Sequence, residues 1–177
     1  MALFLVTAKQ PRAALIWCAA IVLCAATMGA LKLGLAACGR PLASVGLTSP
    51  SGHAAMSAAV YGGFAVVIAT THTRWLRRAA RLIALVLVIG IALSRLILHR
   101  HTALEVAIGL AVGCSALLVV VVGIRRRPPR DLAFLWLLAA AAIVAAVFHG
   151  ERWPAEQAIH HLAGRFDLLH AWCVRGA

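Results

Sequence analysis

Residues 93–106 read LSRLILHRHTALEV, and they decide how the rest of the chain is read. On one side stands RLIALVLVIGIAL (81–93), on the other AIGLAVGCSALLVVVVGI (107–124), and neither carries a charge once past Arg81. An apolar run of about 20 residues is enough to cross a bilayer as a helix. The spans built on these runs, about 82–98 and 102–123, meet around Arg95, His99, Arg100, His101 and Glu105 and read as a helical hairpin with its chemistry at the tip.

The same pattern extends outward. The chain has 177 residues, 63% of them hydrophobic and only 12% charged, where a soluble domain has roughly a quarter charged. Apolar spans fall at about 13–36, 54–71, 82–98, 102–123 and 131–149. All read as helices, because a helix satisfies its backbone groups internally in lipid, and the Ala and Gly content suits close packing. The expected fold is all-α, a polytopic bundle of about five membrane helices over 1–150. An amphipathic tail follows over 151–177, with Ile159, Leu162, Phe166, Leu169 and Trp172 at helical spacing on one face. Such a face would lie on the outer leaflet or against the bundle.

The net charge of +12 does not point to nucleic acid. Its basic residues sit in short clusters between apolar runs, and no nucleic-acid motif accompanies them. They act instead as topology signals and attract anionic lipid. Lys9 and Arg12, then Arg74, Arg77, Arg78 and Arg81, then Arg125, Arg126, Arg127 and Arg130 share one side. That side is expected to be cytoplasmic, with the N-terminus on it and a bacterial inner membrane as setting. The basic residues Lys9 and Arg12 follow an apolar stretch, which does not fit a cleaved signal peptide. Lys32, Arg40, Arg95 and Arg100 lie on the opposite, periplasmic or exterior side. Cations kept against the gradient near membrane depth are functional candidates. The five cysteines show no metal spacing; Cys38 and Cys173, both outside the spans on one side, could form a disulfide.

Three clusters carry the chemistry on that outer side: KLGLAACGRP (32–41), SPSGHAAMS (49–57) and SRLILHRHTALE (94–105). In the second, Ser51 is a plausible N-cap, and a helix N-terminus offers unpaired N–H groups to an anion. Gly52 lets a ligand approach the backbone, and His53 in the first turn could move a proton. In the third, His101 and Glu105 are four apart and share one helix face. A carboxylate on one imidazole nitrogen fixes the tautomer and makes the other nitrogen nucleophilic. Arg95 can offer planar, bidentate donors. The chain holds five carboxylates in all, with Glu105 alone in these clusters. A two-metal phosphatase site, which needs several acidic ligands, is not expected, nor is any other metal or cofactor.

Together the clusters resemble the signature motifs of the type 2 phosphatidic acid phosphatase superfamily, which includes vanadium haloperoxidases and bacterial acid phosphatases. PSGH is intact at 50–53, and Ser94-Arg95 followed by His101 keeps the family's gap. Lys32 stands eight residues before Arg40, one more than the family's usual spacing, and the family's final Asp is Glu105. Membrane members commonly have further helices before the first motif, whereas here a helix and tail follow the last one. The resemblance implies His101 as nucleophile, His53 as the acid for the leaving oxygen and Glu105 as the group that orients His101. It assigns phosphate binding to Lys32, Arg40, Ser51, Gly52 and Arg95. His99 and Arg100 have no motif role.

The expected activity is that of a lipid phosphatase at the outer leaflet. Its substrate would be a phosphate or diphosphate on a lipid such as undecaprenyl diphosphate, phosphatidic acid or phosphatidylglycerol phosphate. Transfer of the phosphoryl group to a lipid or glycan acceptor is a second reading, and a non-catalytic membrane protein on a decayed core is a third. Expected partners are the substrate and membrane lipids; no sequence feature sets the oligomeric state.

Overall fold

The computed structural model describes residues 11–38, 45–71 and 73–125. They form four helices: α1 (Pro11–Cys38), α2 (Gly52–Thr71), α3 (Arg74–Ile97) and α4 (Ala103–Arg125). Each holds a segment long and apolar enough to cross a membrane, and there is no strand among the described residues. The expected span at 131–149, the amphipathic tail and a Cys38–Cys173 pair lie outside the described residues.

Helix α1 opens on Pro11, whose fixed φ and missing N–H suit the first helical position. Helix α3 starts at Arg74, not at 82 as the hydropathy edge suggested. The segment RWLRRAAR contains strong helix formers and neither Gly nor Pro. Its arginines can lay their apolar stems along the helix and keep their charges in water. Hydropathy marks where hydrocarbon begins, and the helix continues past that line.

The bundle is built around α2. Some 44% of its span is buried, against 11% of α3, and it packs against each of the other three helices. Small side chains make this geometry accessible: Ala54, Ala55, Ala58 and Ala59 are all buried. Opposite them, α4 presents Gly109 and Gly113, a small-xxx-small spacing that lets two backbones approach. A Cβ on Gly109 would overlap the Ser51 carbonyl, and one on Gly113 the Ala55 carbonyl. In lipid, burial from water cannot draw helices together. The seam is held by dispersion, about 0.1–0.2 kcal/mol per atom pair, which adds up only when the backbones are this close.

Helix α1 runs antiparallel to α2 and packs against α2 and α4 together. Cys24 and Met28 share a buried cluster with Ala55, Ala59 and Ala116. Farther along, Ala13 and Ala20 join Val67, Val120 and Ile124, where Trp17 meets Phe64 edge-on at 6.2 Å between ring centres. Helix α3 rests on α2 and barely touches α4. The three meet at one end only, where Ala54, Ala92 and Val106 are buried together with Leu96 and Leu110 against them. Away from that end, a cavity of about 570 Å³ separates α3 from α4, lined by Ala58, Ala84, Val88 and Leu117 with Arg81 at its edge.

Candidate active site

The end where α2, α3 and α4 converge is the end that carries the motifs. Helix α3 stops there by a specific device. The Leu98 N–H donates to the Ser94 carbonyl, the His99 N–H to Leu96 and the Arg100 N–H to Arg95, all at 3.0 Å. His99 adopts φ 50, the left-handed conformation that commonly ends helices. The Arg95 carbonyl also accepts the His101 N–H at 3.3 Å. The gap between Arg95 and His101 is therefore a helix terminator that turns the chain toward α4. His99 supplies its left-handed residue, a structural part that its lack of a motif role allows.

Helix α4 then begins with a reciprocal cap. The Glu105 N–H donates to Thr102 Oγ1 at 3.3 Å, and the Thr102 N–H donates to Glu105 Oε2 at 3.2 Å. This is the Thr-x-x-Glu arrangement of a capping box. It holds the Glu105 side chain back over the helix start, where His101 Nδ1 lies 2.9 Å from Oε2. The other oxygen is equally engaged. Oε1 accepts from the Thr48 N–H at 2.8 Å, the Thr48 hydroxyl at 2.7 Å and the Ser49 N–H at 2.7 Å. Glu105 is buried, with its side chain 3% exposed, and His101 is 12% exposed. A buried carboxylate is costly unless its lone pairs are met, and here donors from two separate segments meet them.

The same carboxylate residue joins the second motif to the third. The Ser51 N–H donates to the Glu105 carbonyl at 3.0 Å, so the start of α2 is bonded to the first turn of α4. Ser51 is wholly buried. Its Oγ lies 3.5 Å from the Ala54 N–H and its carbonyl accepts the Ala55 N–H at 3.2 Å, which is the expected N-cap position. With its backbone N–H committed to Glu105, the hydroxyl is the group of Ser51 that can serve a phosphate. Gly52 is open: a Cβ there would meet nothing within 4 Å. His53 follows it in the first turn of α2 and is exposed.

Arg95 sits in the last turn of α3, and its Nε is buried with no hydrogen-bond partner among the described residues. Lys32 lies one helical turn beyond Met28, and Ser51 one turn beyond Ala55 in the opposite direction. Since Met28 and Ala55 share a cluster, Lys32 is level with the start of α2. Arg40 lies outside the described residues. Of the expected site residues, Ser51, Gly52, His53, Arg95, His101 and Glu105 are thus gathered at one end, with Lys32 at the same height. No group of three His, Cys, Asp or Glu side chains that could hold a metal occurs among the described residues.

Thr48, Ser49 and Thr102 enter the site without having been singled out in the sequence. Thr102 had a visible signal, since Thr-x-x-Glu before an apolar run is a helix-start pattern. Thr48 and Ser49 meet a residue 57 and 56 positions away, which no local spacing reports.

The geometry leaves His101 able to act as a nucleophile. A carboxylate acceptor requires the proton on Nδ1, so the neutral ring has its lone pair on Nε2. Chemically the set offers an oriented imidazole, a second histidine, cations and an open helix start.

Among known proteins, the chain is 28% identical over 138 residues to the "Uncharacterized 22.5 kDa protein in cps region" of Klebsiella pneumoniae. That match covers 76% of this chain and 66% of the relative, so the chain spans just under two thirds of the relative's length. No solved structure matches. The model of the PAP2 superfamily matches residues 13–129, which takes in all four helices except the first two residues of α1, together with every described residue of the site, and the chain belongs to that superfamily.

Proposed function

We propose that this protein is an integral membrane lipid phosphatase. It hydrolyses a phosphomonoester or diphosphate on a lipid, of the isoprenyl diphosphate or phosphatidate class, through a metal-independent phosphohistidine. Superfamily membership supports phosphatase or phosphotransferase chemistry. The observation that carries the reading to these residues is the contact of His101 Nδ1 with Glu105 Oε2 at 2.9 Å, made beside the start of α2. It presents Nε2 as the nucleophile in a place where helix-start amides and Arg95 can neutralise a phosphoryl group.

In the proposed reaction the Nε2 lone pair of His101 attacks phosphorus while the bond from phosphorus to the leaving oxygen breaks. His53 gives that oxygen its proton. Water then attacks phosphorus, the N–P bond breaks, and a proton from water returns to His53 as phosphate leaves. The motif end faces the periplasm or exterior, following the distribution of basic residues. A substrate anchored in the outer leaflet suits a site at the head-group end of the helices.

Purified protein assayed on a panel of lipid phosphates and diphosphates, with chelator present, tests this. Phosphate release is expected from at least one of them and should vanish in His101→Ala. Release that survives His101→Ala overturns the histidine, and loss of release on adding chelator overturns the metal-free route. A labelled product that appears only with an added alcohol acceptor identifies phosphotransfer instead.

A further inference from the structure

Resting on that reading, we propose that Thr48 is a positioning residue for the reaction and that this site is built specifically around a glutamate. The family pattern has an aspartate where this chain has Glu105. Shortening a side chain by one methylene moves its carboxylate by more than 1 Å, enough to break a hydrogen bond. Here the longer side chain reaches a nest that an aspartate on the same backbone would fall short of.

The nest has three parts. Thr48 gives both its N–H and its hydroxyl to Oε1, at 2.8 and 2.7 Å, and Ser49 adds its N–H at 2.7 Å. The Thr102 N–H holds Oε2 at 3.2 Å, next to His101 Nδ1 at 2.9 Å. The loop that carries Thr48 is itself tied down from the far side. The Thr102 hydroxyl donates to the Gly46 carbonyl at 2.7 Å, and Gly46 turns the loop there with φ 76.

Apart from His101 itself, Thr48 is the one donor to Glu105 among the described residues that uses a side chain. The backbone donors survive any substitution, so the hydroxyl can be removed alone. It pulls Oε1 away from His101 and thereby sets the carboxylate plane, leaving Oε2 aimed at Nδ1. Without it Oε1 keeps only the Thr48 and Ser49 backbone donors, and the carboxylate plane, with the direction of the Nδ1 contact, is held less tightly. Thr48 touches neither substrate nor reacting atoms in this scheme; it acts through Glu105.

The test compares Thr48→Val, which keeps shape and loses the hydroxyl, with Thr48→Ser, which keeps the hydroxyl. Glu105→Asp is the third variant. On the panel substrate that the wild type turns over, Thr48→Val is expected to lower kcat by about tenfold, the cost of one buried hydrogen bond to a charged group, with KM unchanged. Thr48→Ser should restore kcat, and Glu105→Asp should lower it at least as far as Thr48→Val. Proton and nitrogen spectra of histidine-labelled protein give a readout that needs no turnover. The Nδ1–H proton of His101 should resonate at one far-downfield position in the wild type and in Thr48→Ser, and move upfield in Thr48→Val as the bond to Oε2 weakens. An unchanged kcat or an unchanged Nδ1–H resonance in Thr48→Val overturns the proposal, as does full activity in Glu105→Asp. A wild type inactive on the whole panel would instead sink the lipid phosphatase reading, and the Nδ1–H comparison would still decide the role of Thr48.

Discussion

Helices α2 and α3 are neighbours of similar length, and the one at the centre is the one whose membrane-crossing segment is less apolar. Helix α2, with its Gly, Ala, Ser and His, has 44% of its span buried, whereas α3, rich in Leu, Ile and Val, has 11% buried. In water the order would be reversed, because the more apolar element gains more from burial. In lipid the tails solvate Leu and Val as well as another helix does, so small side chains that let backbones touch decide position. Exposed Leu82, Ile83, Val86 and Ile89 on α3 are then a surface for lipid. The α2–α4 seam is where the molecule can hold atoms to a fixed geometry, and the seam ends at Glu105.

If that contrast is right, substitutions in the seam should be severe and those on α3 mild. The largest effect is expected at Glu105. Glu105→Gln keeps the length and a capping partner but turns one oxygen into a donor that faces other donors. Loss of an orienting carboxylate beside a catalytic histidine is worth on the order of a thousandfold or more in kcat. Steady-state release of phosphate measures it, and a loss of less than about tenfold would remove Glu105 from the orienting role.

Next comes the packing that sets the distance between α2 and α4. Gly113→Leu would drive a side chain into the Ala55 carbonyl and the Ala58 methyl. Overpacking of this kind costs about 1–3 kcal/mol. A displacement near 1 Å at a reacting centre can cost about a hundredfold in rate. Both a lowered melting temperature in detergent and the lost activity are expected. Retention of both would show that the seam yields without harm, and the contrast with α3 would fail.

A smaller effect separates ligand approach from folding. Gly52 has open space where a Cβ would be, so Gly52→Ala should leave the melting temperature within a degree or two. Gly→Ala in a helix even gains about 0.8–1 kcal/mol of propensity. If phosphate reaches the amides at the start of α2, the added methyl stands in its way. KM should then rise by about tenfold, the equivalent of roughly 1.4 kcal/mol of binding. An unchanged KM would place the phosphate elsewhere.

How much of this was readable in advance follows from the range of each interaction. The four helices were visible because lipid demands long apolar runs, and the His101–Glu105 pair because of its spacing of four. His101 nonetheless stands before α4, and the capping box, not a shared helix face, brings the two together. The start of α3 was misplaced by eight residues, from 82 to Arg74. Charge interrupts hydropathy without interrupting a helix, which is why the edge misled. The capping box at Thr102 was written locally and could have been read. The Thr48 hydroxyl could not, since its partner lies 57 residues away and the two meet through the packing of α2 on α4. Small residues spaced for close packing announce that two helices meet; they do not say which loop residue then lands on which side chain.

The smallest effects are expected on α3, and they test the contrast from its quiet side. Gly90 is exposed and a Cβ there would meet nothing within 4 Å, so Gly90→Leu should change neither activity nor assembly. His99 is a sharper case, since it stands two residues from the proposed nucleophile. Its φ of 50 costs an L-residue about 1–2 kcal/mol, which glycine does not incur. If His99 serves only to end α3, His99→Gly should keep kcat and KM and raise the melting temperature slightly. Glycine's greater freedom in the unfolded chain offsets about 0.5–1 kcal/mol of the gain, so the rise should be small. A fall in kcat with an undisturbed melting temperature would mean that the imidazole itself takes part, and the turn would then carry one more working histidine than the geometry assigns.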